Sequence, residues 1–176
     1  TASYDNTAKV WGAVTGKELT TLTGHDVAVT SVAYSADGDR IVTGSFDNTA
    51  KVWDAKTGTE LMTLKGHDGY VRSAVYSPNG HQIVTASADN TAKVWDAKTG
   101  QELFTLTGHE GGVNSAVYSP DGQRIVTASE DKTAKVWDAQ TGKELLTLTG
   151  HEGYVLSAVY SPDGKRIATA GMDGIV

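Results

Sequence analysis

A chain that rewrites the same text at a fixed interval must fold as a series of equivalent units, and here the interval is 42 residues. Trp11, Trp53, Trp95 and Trp137 fall on it, as do His25, His67, His109 and His151. A period of this length defines the structural unit before any single residue is interpreted. The unit that begins at Gly108-His109 has an apolar run ending Val117-Tyr118-Ser119, the turn Pro120-Asp121-Gly122, and then Arg124-Ile125-Val126-Thr127-Ala128-Ser129. It goes on through Asp131 to Thr133-Ala134-Lys135-Val136-Trp137-Asp138, the turn Thr141-Gly142, and Glu144-Leu145-Leu146-Thr147-Leu148.

Each unit is expected to hold four short strands. The runs have strand length, are rich in Val, Ile, Thr, Tyr and Trp, and are bounded by Gly, Asp, Asn and Pro. Ser-Pro-Asp-Gly places Pro where a turn wants φ near −65° and Gly where it wants positive φ, which predicts a tight hairpin between strands one and two. No stretch keeps an apolar 3.6-residue period long enough for a helix.

In chain order, Thr1-Ala2-Ser3 reads as the tail of a second strand, Thr7 to Gly12 as a third and Glu18 to Thr23 as a fourth, so residues 1–23 are half a unit. Three full units follow at 25–65, 67–107 and 109–149, and 151–176 supplies strands one and two only. The two ends are therefore complementary halves. They overlap as well, because Thr169 to Val176 occupy the positions of Thr1 to Ala8.

Composition narrows the class. The apolar fraction of 39% is that of a soluble globular protein. Zero Cys excludes disulfides and thiolate chemistry and fits a reducing cytoplasm, the expected location. A net charge of −6 argues against general attraction to nucleic acid or to an anionic membrane. No apolar run has the length of a transmembrane helix and no signal peptide opens the chain, which begins in mid-repeat without Met and looks cut from something longer.

The registered motifs resemble the WD40-repeat family over essentially the whole chain. They are Gly-His at 24–25, 66–67, 108–109 and 150–151, a turn Asp at 47, 89, 131 and 173, and Trp-Asp at 53–54, 95–96 and 137–138. The resemblance implies an all-β propeller of four-stranded antiparallel blades, with four blades' worth of repeats in this chain. Two departures stand out: Gly12 replaces the Asp after Trp11, and the last unit has no Trp.

The resemblance also implies a hydrogen-bonded set in each blade. On this chain the sets are His25, Thr43, Asp47 and Trp53; His67, Thr85, Asp89 and Trp95; and His109, Thr127, Asp131 and Trp137. A structural role suits them, since a catalytic nucleophile is needed once and this constellation recurs in every unit. Metal binding fails on the same ground, with one His and one Asp per unit giving no ligand cluster. Neither a cofactor nor a metal is expected. Lys9, Lys51, Lys93 and Lys135 are assigned to covering the third strand with their stems, and His81 to the surface at the start of a strand.

Function should lie where the copies differ. The position before the turn Asp reads Tyr4, Phe46, Ala88, Glu130, Met172. Three residues after the Gly-His histidine the chain reads Ala28, Tyr70, Gly112, Tyr154, and two further on Thr30, Arg72, Asn114, Leu156. These places fall by the loops of one rim, on which the resembled family most often docks partners. The expected function is a non-catalytic scaffold or sensor that binds a protein or peptide through Phe46, Tyr70, Arg72, Asn114, Glu130, Tyr154, Leu156 and Met172, with Tyr70 and Arg72 as anchors. The alternatives are a purely structural or engineered repeat and, third, an enzyme working at the channel mouth, which would need a unique polar cluster that the sequence lacks.

Closure is the remaining expectation. An open arc would leave a raw edge on the third strand of the first half-blade and another on the second strand of the last, and raw edges pair. Four blades in one ring need about 90° between neighbours, whereas two chains head to tail give eight at about 45°. The reading favours a homodimeric ring of eight blades, with a piece of a longer propeller as the alternative.

Overall fold

A computed structural model describes residues 1–173, and among them every regular element is a strand. Three complete four-stranded antiparallel sheets run in sequence order. The first holds β3 (Val29–Tyr34), β4 (Arg40–Ser45), β5 (Thr49–Asp54) and β6 (Glu60–Lys65). The second holds β7 (Val71–Tyr76), β8 (Gln82–Ser87), β9 (Ala92–Asp96) and β10 (Glu102–Leu106), and the third β11 (Val113–Tyr118), β12 (Arg124–Ser129), β13 (Ala134–Asp138) and β14 (Glu144–Leu148). Two-stranded sheets stand at either end, β1 (Thr7–Trp11) with β2 (Glu18–Thr23) and β15 (Val155–Tyr160) with β16 (Ile167–Gly171). The overlap between 1–8 and 169–176 falls partly outside the described residues.

Turn chemistry fixes the hairpins. After Asp5, Asp47, Asp89 and Asp131 the backbone enters the left-handed region, at Asn6, Asn48, Asn90 and Lys132, with φ between 68° and 70°. Asn adopts that conformation readily and Lys does not. After each Trp-Asp, the Asp carboxylate accepts the N–H groups two and three residues on, as Asp54 Oδ1 does from Lys56 at 3.0 Å and Thr57 at 2.7 Å. Gly12 removes that acceptor from the β1–β2 turn, in which Val14 is fully exposed.

The core lies between sheets. Val42, Ala50, Val52 and Leu64 of one blade meet Val71, Ala74, Tyr76, Ile83 and Trp95 of the next, and the pattern returns one period later with Val84, Val94, Leu106, Tyr118, Ile125 and Trp137. A blade alone would leave these faces in water, so stability comes from stacking. The central strands show it in their burial: β4, β8 and β12 bury their last five residues each.

The ends differ. β16 holds the place of those buried strands and four of its five residues are exposed. Trp11 is 44% exposed where Trp53, Trp95 and Trp137 are 1%. The expected raw edge of β1 is covered in part by the three N-terminal residues: Lys9 N–H donates to Thr1 O at 2.8 Å, Ser3 N–H to Thr7 O at 3.1 Å, and Ala2 bridges Ala8.

Candidate functional site

In each complete blade the loop before the innermost strand brings its histidine over the second strand. His25 Nδ1 lies 2.6 Å from Asp47 Oδ2 and its Nε2 lies 2.7 Å from Thr43 Oγ1, to which Trp53 Nε1–H donates at 2.9 Å. The next two blades repeat the arrangement with His67, Asp89, Thr85 and Trp95, and with His109, Asp131, Thr127 and Trp137, to within 0.1 Å. The imidazoles and indoles are almost fully buried.

Two proton arrangements satisfy the threonine, which has one hydrogen and two lone pairs. Beside a neutral imidazole protonated at Nδ1, which donates to the carboxylate, Thr43 accepts the indole N–H and gives its own hydrogen to Nε2; beside an imidazolium it accepts from both rings and turns its hydrogen to Lys51 O at 3.5 Å. The electrostatics favour the neutral ring. Burial pulls the pKa of His25, His67 and His109 down, and the neighbouring carboxylate restores it only in part. Burial works against ionisation of Asp131 also, but the hydrogen bonds from Thr133 and His109 outweigh it and hold the carboxyl down at about 2.

Two further hydroxyls belong to each set, and the sequence reading passed over them. Thr49 Oγ1–H donates to Asp47 Oδ1 at 2.6 Å, and Ser45 Oγ accepts Asp47 N–H at 3.1 Å while donating to Ala28 O at 2.9 Å. Their signal was the same spacing, since Ser45, Ser87, Ser129 and Thr49, Thr91, Thr133 all recur at 42 residues. The lysine series is paired too. Lys51 Nζ donates to Glu60 Oε2 at 2.9 Å and to Thr63 Oγ1 at 3.0 Å, and Lys93 and Lys135 repeat this with Glu102 and Glu144.

At the rim the variable positions come together in a specific way. The pairing of β7 with β8 shifts register between Val71 and Ser73, so Arg72 is the extra residue of a bulge, and Thr30, Asn114 and Leu156 hold the same place in β3, β11 and β15. A bulge redirects the side chain at its extra residue. These side chains reach into the next blade. Thr30 Oγ1–H donates to Val71 O at 2.6 Å, Arg72 Nη1 donates to Asn114 Oδ1 and to Glu130 Oε1, the latter at 2.6 Å, and Asn114 Nδ2–H donates to Val155 O at 2.8 Å.

Gly112 leaves room for that pair: a Cβ there would sit 2.9 Å from Glu130 Oε2 and 3.2 Å from the Arg72 guanidinium. The Arg72 head group, read from sequence as an anchor for a partner, is thus engaged within the protein. Aromatic rings occupy the rim beside it. Phe46 and Tyr70, from adjacent blades, have centroids 4.8 Å apart, and Tyr4 lies 6.0 Å from Phe46 on its other side. Tyr70, Tyr154, Leu156 and Met172 are about half exposed or more. Tyr154 O accepts Met172 N–H at 2.8 Å, while Leu156 stands at the bulge of the last blade. Among the described residues no group of three His, Asp or Glu side chains converges as metal ligands, and no helix is long and apolar enough to cross a membrane.

Four-stranded antiparallel sheets stacked in sequence order on a shared inter-blade core define an all-β, propeller-type repeat protein. The WD40 family model, described as WD domain, G-beta repeat, matches residues 16–54, 58–96, 100–138 and 142–176, and the chain belongs to that family. No curated protein matches the chain. The matched repeat straddles two sheets: 16–54 runs from β2, the outermost strand of one sheet, through β3, β4 and β5 of the next. Every repeat is thereby tied covalently to two blades. WD40 repeats generally serve protein–protein scaffolding.

Proposed function

We propose that this chain is a non-catalytic binding module that docks a protein or peptide on the rim carrying the Gly-His loops. The observation that carries this reading is the Phe46–Tyr70 contact, an aromatic pair built from two blades and open to solvent on the Tyr70 side. Aromatic pairs of this kind have the area and rigidity that dominate interface hot spots. Tyr154, Leu156 and Met172 extend an apolar surface along the same rim two blades away. Arg72, Asn114 and Glu130 contribute by fixing the blades between these two groups. In the three complete blades each imidazole and turn carboxylate is held by its own blade in the same arrangement, which suits a structural role better than a catalytic one. With a net charge of −6, nucleic acid is a poor match for this surface.

The experiment is a peptide-library selection on the immobilised chain. Selected peptides should lose at least about tenfold in affinity for Phe46→Ala or Tyr70→Ala, in line with an interface anchor. Peptides that tolerate both changes and lose binding on the opposite rim, at Pro78-Asn79 or Lys98-Thr99, would place the binding face elsewhere.

A further inference from the structure

The clefts between neighbouring blades repeat in outline and differ in chemistry. On the rim opposite the Gly-His loops, the first two complete blades frame a cleft of about 390 Å3, lined by Asp37 and Arg40 of one blade and by Tyr76, His81, Asp96 and Lys98 of the next. One period on, the same places read Asn79, Gln82, Tyr118, Gln123, Asp138 and Gln140. Asp37, Arg40, His81 and Lys98 of the first cleft are thus all replaced by neutral amides in the second.

Tyr76 is where this difference leaves a donor unsatisfied. Its side chain is 9% exposed, and its buried hydroxyl has no hydrogen-bond partner among the described residues. Such a group calls for an explanation. In the next cleft Tyr118 Oη–H donates to Gln82 Oε1 at 3.4 Å, and Gln82 holds the place of Arg40. A glutamine supplies an acceptor there, whereas a guanidinium has only donors. Tyr160, which shares its cleft with Arg124, is without a partner as Tyr76 is. Burial pushes the Tyr76 hydroxyl up to about 12, so it stays protonated and keeps a hydrogen to donate.

Arg40 has donors to spare as well. Its Nη1 donates across the cleft to Ala97 O at 3.0 Å, and Ala97 N–H donates to His81 O at 2.9 Å, which ties the head group to the second blade. Among the described residues neither Arg40 nor Lys98 forms an ion pair. The two carboxylates of the cleft are engaged in their own turns. Asp37 Oδ1 accepts from Ser35 Oγ–H at 2.5 Å and from Asp39 N–H at 3.0 Å, and Asp96 Oδ1 accepts from Lys98 N–H at 3.0 Å and Thr99 N–H at 2.7 Å.

We infer that this cleft is a binding site for a carboxylate, whose oxygens accept from the Arg40 guanidinium and the Tyr76 hydroxyl, with the exposed Lys98 ammonium and His81 imidazole at the entrance. A carboxylate supplies the acceptor that Gln82 supplies one period on, and its bonds to the guanidinium are charge-assisted. The hydroxyl is covered in the free chain, so its hydrogen reaches the ligand after a side-chain movement. Arg40, partly exposed and held by one bond, is the side chain able to make it. Charge sets the class of ligand. Arg40 and Lys98 are balanced by Asp37 and Asp96, so a monoanion enters a neutral frame, whereas a phosphate dianion would face two fixed carboxylates. The ligand is therefore a free carboxylic acid or the acidic side chain of a peptide.

The test is an NMR titration of the nitrogen-labelled chain with sodium acetate, with the peptide acetyl-Gly-Glu-Gly-amide and with sodium phosphate, at an ionic strength held constant by chloride. The Arg40 Nε–H and Ala97 N–H resonances should move saturably with acetate or the peptide, and phosphate should bind less tightly. Ala139 N–H, the equivalent of Ala97 in the neutral cleft, should stay in place. Tighter binding of the peptide would identify an acidic side chain as the source of the carboxylate, and tighter binding of acetate a free acid. Arg40→Gln, which copies Gln82, should weaken binding at least about tenfold. Tyr76→Phe removes only a hydroxyl without a partner, so it should leave the melting temperature unchanged and weaken binding by about threefold or more. No saturable movement with acetate or the peptide, tighter binding of phosphate, equal movement of Ala97 and Ala139, or undiminished binding by both variants would overturn the assignment.

Discussion

Thr127 Oγ1 stands between two rings of one blade, 2.7 Å from His109 Nε2 and 2.8 Å from Trp137 Nε1, and the single hydroxyl serves both. It accepts the indole hydrogen and, beside the neutral imidazole that burial favours, gives its own to Nε2. Thr127→Val keeps the volume and removes both functions, leaving a buried N–H and a buried ring nitrogen without partners. The expected loss is about 1–3 kcal/mol, read by denaturant unfolding, and Thr127→Ser should recover most of it. His109→Ala and Asp131→Ala should cost about as much and Trp95→Ala at least that, since it also empties a large buried volume. A Thr127→Val chain as stable as the parent would mean that the network contributes nothing to folding.

Acid should weaken the fold before the carboxylates titrate. The imidazoles of His25, His67 and His109 have pKa values lowered from the ordinary 6.5, so as pH falls the unfolded chain takes up protons first. The stability they contribute is complete above 6.5 and is lost as pH drops through the lowered values. Asp131, held at about 2, adds its own loss only below the ordinary 3.8. Calorimetric melting between about pH 7.5 and pH 4.5 should show the decline, and His67→Gln should flatten it. A melting temperature constant over that range would contradict a neutral buried imidazole.

Lys132 offers a gain. It sits at φ 70° where Asn6, Asn48 and Asn90 take the same conformation, and a lysine has no short polar side chain to ease it. Lys132→Asn should raise stability by up to about 1 kcal/mol, a shift of about 2–4 °C in a domain of this size. An unchanged or lower melting temperature would show that the turn bears no such strain.

These sites show what the sequence could and could not convey. Position within the repeat was enough to bring His25, Thr43, Asp47 and Trp53 together, because residues in one register are read by spacing alone. Ser45 and Thr49 carried the same spacing and were missed, as serine and threonine near a turn also suit a merely solvated loop. The bulge at Arg72 was invisible for a different reason. A bulge adds no residue that a repeat comparison would notice when every blade has it, and the direction it gives the side chain appears only in the backbone. Gly112 therefore read as simple variation, although it is the space into which Glu130 and the Arg72 guanidinium fit.

The Arg72–Glu130 pair is the last and most discriminating prediction. Its atoms are 2.6 Å apart, the side chains are 27% and 33% exposed, and the bond crosses from one blade to the next. Water screens such a pair, so its coupling in a double-mutant cycle of Arg72→Ala and Glu130→Ala should be about 0.2–1 kcal/mol. Asn114 shares the guanidinium, so Arg72→Ala should cost more than Glu130→Ala. The same geometry sets a steric test. The three complete blades pair large with small across the bond from the residue before the turn Asp to the loop residue: Phe46 with Ala28, Ala88 with Tyr70 and Glu130 with Gly112. Gly112→Tyr, which copies the residue at that place in the two neighbouring blades, should expel the guanidinium and abolish the coupling. If the coupling is zero in the parent and Gly112→Tyr leaves stability unchanged, Arg72 is free to meet a partner directly, and the division of labour between Arg72 and Tyr70 proposed for the rim is wrong.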